Sequence, residues 1–220
     1  MPITLQEASV SFGGGPPVLD GVSLTITPRD RVAIVAPSGS GKTTLLTVLG
    51  LLRKPNSGRV LVNDQDPWRP ATDRSAVRAA LIAWVLQTVN LLPHRTVVDN
   101  VALAAIAAGA DRPAAVRGAL SALATVGLGD LRDRQARSLS GGEAQRVGVA
   151  RGLCGPAQVL LADEPTGNLD QSTRDVVAEA LFAIPGETAL VVATHDLSVA
   201  ERADRVFTLK TGSLVPSRRE

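Results

Sequence analysis

The amino-acid sequence predicts an α/β protein: a mixed central sheet, an antiparallel β layer at the N-terminal end, and a helical subdomain inserted part-way along the chain. Three observations predict it. The short β-branched run Arg31-Val32-Ala33-Ile34-Val35 stops at a small-residue loop, after which Leu45, Leu46, Val48, Leu49 and Leu52 follow helical spacing. A second apolar run, Val159-Leu160-Leu161-Ala162, ends in two carboxylates. Between them, from about residue 96 to 127, the chain is Ala-rich and poor in strand formers.

Taken in order, Ile3-Thr4-Leu5, Val10-Ser11-Phe12 and Val22-Ser23-Leu24-Thr25-Ile26 alternate apolar and polar residues around the turn-rich Gly13-Gly14-Gly15-Pro16-Pro17. They read as strands of the antiparallel layer. The strand–loop–helix over residues 31–52 follows. Helices are expected to start at Thr96 and near Pro113, the latter because proline suits a first helical position. Beyond Pro156 the β/α alternation resumes with the strand 158–162, a helix from about Asp170, a strand from Thr188 to Ala193 and a last strand from Val206 to Leu209.

Composition excludes several classes. With 220 residues, 45% hydrophobic and 20% charged, the chain is that of a folded globular domain rather than a disordered or fibrous one. A formal net charge of +2 gives no case for a nucleic-acid partner. The longest apolar run, around residues 101–110, is about half of the roughly 20 residues that a membrane-spanning helix needs. Met1-Pro2-Ile3-Thr4 has no secretory pattern and the lone Cys154 cannot form an internal disulfide, so the expected location is the cytoplasm.

The chemistry begins at Ala36-Pro37-Ser38-Gly39-Ser40-Gly41-Lys42-Thr43, placed between a buried strand and a helix as a phosphate-binding loop requires. Glycines let backbone N–H groups converge on phosphate oxygens, and the helix N-terminus adds partial positive charge. Lys42 would reach the β and γ phosphates, and the Thr43 hydroxyl could ligate Mg²⁺. Ala36 stands where such loops usually carry their first glycine. Asp163 and Glu164 would lie beside this loop if their strand is its parallel neighbour. Asp163 would then serve a magnesium shell and Glu164 would polarise an attacking water; alone, the pair would equally fit a strand ending in an acidic turn.

Leu139-Ser140-Gly141-Gly142-Glu143-Ala144-Gln145-Arg146 carries capping-box spacing between Ser140 and Glu143, so a helix should begin there and present its free N–H groups. At this point the sequence resembles the ABC ATPase family, whose signature is this Leu-Ser-Gly-Gly segment, and the resemblance runs over almost the whole chain. It implies a P-loop NTPase fold of the ABC ATPase type: one domain over residues 1–220, with a helical subdomain at about 90–155 inserted in a RecA-like core. It also implies ATP and Mg²⁺ as ligands.

The resemblance assigns roles that single residues would not carry alone. Phe12 matches the aromatic that stacks on adenine, and Thr44 belongs with the phosphate loop. Gln87 matches the glutamine that touches magnesium and the attacking water, and His195 the switch histidine at the γ-phosphate. Ser140, Gly141, Gly142 and Glu143 match the signature that closes on the nucleotide of a second subunit. Asn168-Leu169-Asp170 matches the loop that joins the two sites. Glu164, His195 and Gln87 form the implied catalytic set; Thr43, Gln87 and Asp163 form the implied metal set.

Each site would be shared between two copies, which makes dimerisation part of catalysis. Finer motifs, Leu91-Leu92-Pro93-His94 and Pro165-Thr166-Gly167-Asn168-Leu169-Asp170 among them, resemble the LolD/MacB/FtsE group. Members of that group drive a separate integral membrane permease in lipoprotein, drug or peptide export or in cell-wall remodelling. Leu92 and His94 would lie at the permease contact, placing the chain on the inner face of the cell membrane. The alternatives are an ABC ATPase acting on ribosomes or DNA without a membrane partner, and a regulatory ATP-binding clamp. The former usually carries two cassettes or a long coiled coil, which this chain lacks.

Overall fold

The computed structural model describes residues 2–184 and 186–217. Two sheets form the frame. Strands β1 (Ile3–Val10), β2 (Leu19–Ile26) and β4 (Ser57–Val62) make an antiparallel sheet in the order β2-β1-β4. The larger sheet has six strands in the order β5-β6-β7-β3-β8-β9: β5 (Ile82–Val85), β6 (Val159–Asp163), β7 (Ala189–Thr194), β3 (Arg31–Val35), β8 (Arg205–Lys210) and β9 (Ser213–Pro216). All its pairings are parallel except β8–β9.

The parallel strands are apolar throughout because both faces of the sheet are covered. Val159 and Leu161 of β6 pack with α1 (Lys42–Leu49) and the N-terminal sheet. Leu160 and Ala162, pointing the other way, pack with the helical layer of α3 (Val97–Ala107), α4 (Arg112–Thr125) and α5 (Gly141–Cys154) and with α6 (Gln171–Phe182). The period-2 alternation of one strand thus joins two cores. Helix α2 (Arg74–Leu81) leads into β5, and the short α7 (Leu197–Ala200) lies against β3 and β7.

Apart from α1, which starts at Gly41 with no side-chain cap, the α-helices start at a capping side chain. Thr96 and Asp170 accept from the N–H groups of Asp99 and Thr173, as their positions predict. For α4 the cap is Asp111, which accepts from Ala114 N–H, so Pro113 falls at the second helical position rather than the first. The N-terminal strand also differs from expectation. Residues 3–5 and 8–10 belong to one strand interrupted by a bulge, and Phe12 lies beyond its end.

The bulge has a physical cause. Between the Gln6–Arg59 and Ser9–Ser57 pairs, Glu7 and Ala8 oppose the single residue Gly58. Glu7 adopts φ of 48°, held by its N–H to Ser23 Oγ at 3.0 Å. Gly58 sits at φ of 73°, and a Cβ there would come within 2.1 Å of the Glu7 carbonyl oxygen. Gly58→Ala should therefore cost about 1–3 kcal/mol, read as a lower denaturant midpoint; an unchanged midpoint would mean that the bulge rearranges freely.

Candidate functional site

The segments that follow β3, β5 and β6 meet at one cleft of about 440 Å³, lined by Phe12, Val18, Gly39, Lys42, Thr43, Thr44, Gln87, Asp163 and Glu164 among others. Strands β3 and β6 are parallel but not neighbours, because β7 runs between them. The phosphate loop nonetheless reaches the acidic strand end. Thr43 Oγ1 donates to Asp163 Oδ2 at 2.7 Å, and Lys42 Nζ lies 3.0 Å from Glu164 Oε1.

The loop folds around its own lysine. Lys42 Nζ donates to the carbonyl oxygens of Ala36 and Pro37 at 2.6 and 3.0 Å, and Ser40 Oγ donates to Pro37 O. Gly39 and Gly41 take positive φ, and a Cβ on Gly41 would meet Val18 Cγ1 at 2.8 Å. Ala36 is buried at the end of β3 and is not among the residues with positive φ, so its methyl meets no backbone penalty there.

Glu164 stands in the left-handed region with φ of 46°, a conformation costly for a non-glycine residue and typical of functional sites. Its N–H donates to the Ala193 carbonyl oxygen, which fixes the turn against β7. Its second carboxylate oxygen, Oε2, lies 2.9 Å from His195 Nδ1 and accepts from the His195 N–H. One carboxylate therefore holds Lys42 on one side and His195 on the other. Burial, reinforced by the neighbouring Glu164 charge and opposed by Thr43 and Lys42, raises the Asp163 pKa.

The remaining expected residues form a second group. Gln87, exposed after β5, donates through Nε2 to Asn168 Oδ1 at 3.4 Å, and a Cβ on Gly167 would approach the same Nε2. Asp170 caps α6 and accepts from the hydroxyls of Ser172 and Thr173, which hold its carboxyl well below the ordinary range. Ser140 and Glu143 form a complete capping box: Ser140 N–H donates to Glu143 Oε2 and Glu143 N–H to Ser140 Oγ. The Ser140 N–H, with smaller help from its hydroxyl and from Arg134, lowers the Glu143 pKa. Among the described residues, the box leaves the Gly141 and Gly142 N–H groups of the first turn without an acceptor. None of residues 140–143 lines the cleft of its own chain.

Several contributors carry no sequence signal of their own. Gln145, buried on α5, donates to the Leu86 carbonyl oxygen and ties the signature helix to the segment before Gln87. Asn100, also buried, bonds both backbone groups of Leu92 and so shapes the loop bearing His94. Arg174 pairs with Asp196 at 2.9 Å and anchors the loop of His195 to α6.

The model of the ABC transporter family matches residues 19–167, more than half of the chain and all of this cleft except Phe12 and Val18. The chain belongs to the ABC transporter family. Among curated ABC relatives, it is 43% identical to the lipoprotein-releasing system ATP-binding protein LolD 1 of Rhodopirellula baltica, covering 97% of this chain and 96% of that one. It is equally identical to LolD of Legionella pneumophila, with 96% of each covered. Of solved ABC structures, a dimeric bacterial transporter cassette superposes with a TM-score of 0.81 at 32% identity, with 96% of each chain covered. A post-hydrolysis dimer of that cassette with ADP and Pi bound reaches 0.83 at 31% identity, covering 99% of this chain and 97% of that one. The ABC fold expected from sequence is thus present, and the protein is an ATPase of that family. Among the described residues no helix is long and apolar enough to cross a membrane.

Two outcomes follow from the geometry of this ABC cassette. A Cβ on Gly142 would lie 2.0 Å from Thr173 Cγ2, whose rotamer is locked by the Thr173–Asp170 hydroxyl bond. Gly142→Ala should cost about 1–3 kcal/mol of stability, and adding Thr173→Ser, which removes only the methyl, should restore most of it in denaturation curves. For Asp163 the folded pKa is raised above its ordinary 3.8, so its ionised form costs stability once the pH passes that raised value. In metal chelator without nucleotide, Asp163→Asn should melt above the wild type at pH 8, and the gap should close as the pH falls through the raised pKa; a gap that widens on acidification would contradict the assigned cause.

Proposed function

We propose that this chain is the ATP-hydrolysing subunit of a lipoprotein-releasing system, acting as two copies that drive a separate integral membrane permease from the inner face of the cell membrane. The observation that carries the reading is the single carboxylate of Glu164 held between Lys42 and His195, next to the Thr43–Asp163 bond. The near full-length likeness to LolD proteins supports the choice of system.

Residues 36–44 would cradle the triphosphate, and Phe12, half-exposed at the cleft, would stack on the base. A phosphate entering the loop must take Lys42 from Glu164, which frees that carboxylate to accept a proton from the attacking water. His195, bonded to the other carboxylate oxygen, holds Glu164 in place and would face the γ-phosphate. The residues present also fit Mg²⁺. Thr43, Asp163 and Gln87 offer hard oxygen donors in one cleft, and the partly buried Asp163 carboxylate, whose pKa burial raises, is a site where a bound cation would offset the cost of ionisation. When bound, the ion would neutralise phosphate charge; Thr43 and Asp163 would hold it, with Gln87 beside the water.

The second copy would supply Ser140, Gly141, Gly142 and Glu143, whose two unused N–H groups suit phosphate oxygens. Asn168, Leu169 and Asp170 would carry the signal between sites, since Asn168 bonds Gln87 while Leu169 approaches Gly141. Permease contact is assigned to Leu92 and His94, both exposed in the loop before α3, a helix that itself exposes Leu103 and Ile106.

Glu164→Gln should retain ATP affinity while turnover falls about 10²–10⁴-fold. The same tagged variant, held closed by ATP in detergent-solubilised membranes, should co-purify a permease. Wild-type turnover would remove Glu164 from the base role, and recovery of ribosomes or DNA instead would overturn the membrane assignment.

A further inference from the structure

We propose that Arg53 is a positioning residue for the nucleotide base, acting through Phe12. The inference rests on Phe12 as the base-stacking side chain. The Arg53 guanidinium carbon lies 4.0 Å from the centroid of the Phe12 ring, so a cation covers one face of it. Phe12 is still 50% exposed and lines the cleft, which leaves the opposite face of its ring for a flat ligand. Arg53 Nη2 donates to the Ser11 carbonyl oxygen at 3.2 Å, while its Nε is buried and has no acceptor among the described residues. A guanidinium that forgoes one hydrogen bond to lie over a ring is held there by the ring.

The surrounding backbone fixes this arrangement. Arg53 N–H donates to Thr47 O at the end of α1, and Leu51 is wholly buried with φ of 56°. Asn56 then clamps the Phe12 segment twice, accepting from Ser11 N–H and donating its own N–H to Ser9 O. Helix α1 begins at the phosphate loop and ends in the turn that carries Arg53. Phosphate-binding and base-binding ends are therefore referenced to one rigid element.

The electrostatic consequence concerns purine nucleotides. A cation behind the ring draws π density towards itself, and the exposed face becomes a better partner for an electron-rich base. Arg53 thus both holds Phe12 in a productive orientation and strengthens the stack without touching the nucleotide. A residue that merely supported α1 would affect every ligand of the phosphate loop alike, whereas one acting through the base would spare ligands that have none.

The test is calorimetric titration with ATP and with inorganic tripolyphosphate, for the wild type, Arg53→Met, Phe12→Ala and the double variant. Tripolyphosphate binding also reports that each variant is folded. The expected result is a roughly threefold to tenfold loss of ATP affinity in Arg53→Met with tripolyphosphate unchanged, and a double variant no weaker for ATP than Phe12→Ala alone. Equal losses for ATP and tripolyphosphate in Arg53→Met would make Arg53 a structural prop and overturn the proposal, as would wild-type ATP affinity in Arg53→Met beside a weakened Phe12→Ala. Wild-type ATP affinity in Phe12→Ala would instead remove the stacking role of Phe12 on which the inference rests.

Discussion

The bonds that join Thr43 to Asp163 and Lys42 to Glu164 set the terms for the rest of the molecule. They link the ends of β3 and β6, two strands that are each hydrogen-bonded to β7 and so stand about 10 Å apart at ordinary strand spacing. No short side chain crosses that distance. The phosphate loop must turn back over the sheet, which its positive-φ glycines permit, and Lys42 must extend along the gap. The end of β7 then lies between the two, and His195 occupies it. Burial of β3, β6 and β7 on both faces keeps these three ends in register, so the apolar cores act directly on the geometry of the polar site.

The helical layer is tied to that site by contacts that leave little slack. Gln145 anchors α5 to the backbone just before Gln87, and Gly142 lets the start of α5 press against Thr173 of α6. Asn168 returns from the α6 side to Gln87. The loop of Leu92 and His94 is itself fixed through Asn100. Hydrogen-bonded and close-packed elements thus connect the cleft to α3 without a break. The signature segment has two separate physical requirements: Gly142 is small because of a neighbour in its own chain, and its N–H is free because the capping box spends only the flanking donors.

Much of this was legible in the sequence wherever the cause is local. The strand and helix flanking the phosphate loop follow from side-chain period, the helix starts at Thr96 and Asp170 from the local pattern, and that at Ser140 from its pairing with Glu143 three residues on. The residues of the cleft were legible through their resemblance to a family. The order of strands was not: periodicity identifies β3 and β6 as buried but says nothing of β7 entering between them. The bulge at Glu7 was equally hidden, because its cause is Gly58, some fifty residues away on β4. Pro113 misled by one position because a stronger cap, Asp111, preceded it. Arg53, Gln145 and Asn100 act through tertiary contacts, and an arginine in a turn or a polar residue in a helix carries no pattern from which to read them.

The charge balance of the cleft bears on the proposed sharing of the site between two copies. Among the described residues lining the cleft, Lys42 is the only side-chain cation, and it stands with two carboxylates, Asp163 and Glu164. A triphosphate adds several more negative charges. The N-terminus of α1 contributes partial positive charge, but it serves the phosphates that the loop already holds. The far side of the terminal phosphate therefore needs a further source of positive potential that brings no side-chain bulk. Two unused N–H groups at a glycine-bearing helix start meet that need. In this fold they lie outside the chain's own cleft, so on the proposed reading they would be supplied by a second copy. Capping by Glu143 does not cancel it: the carboxylate is engaged with the Ser140 N–H and lies near Arg134, which leaves the Gly141 and Gly142 donors unspent.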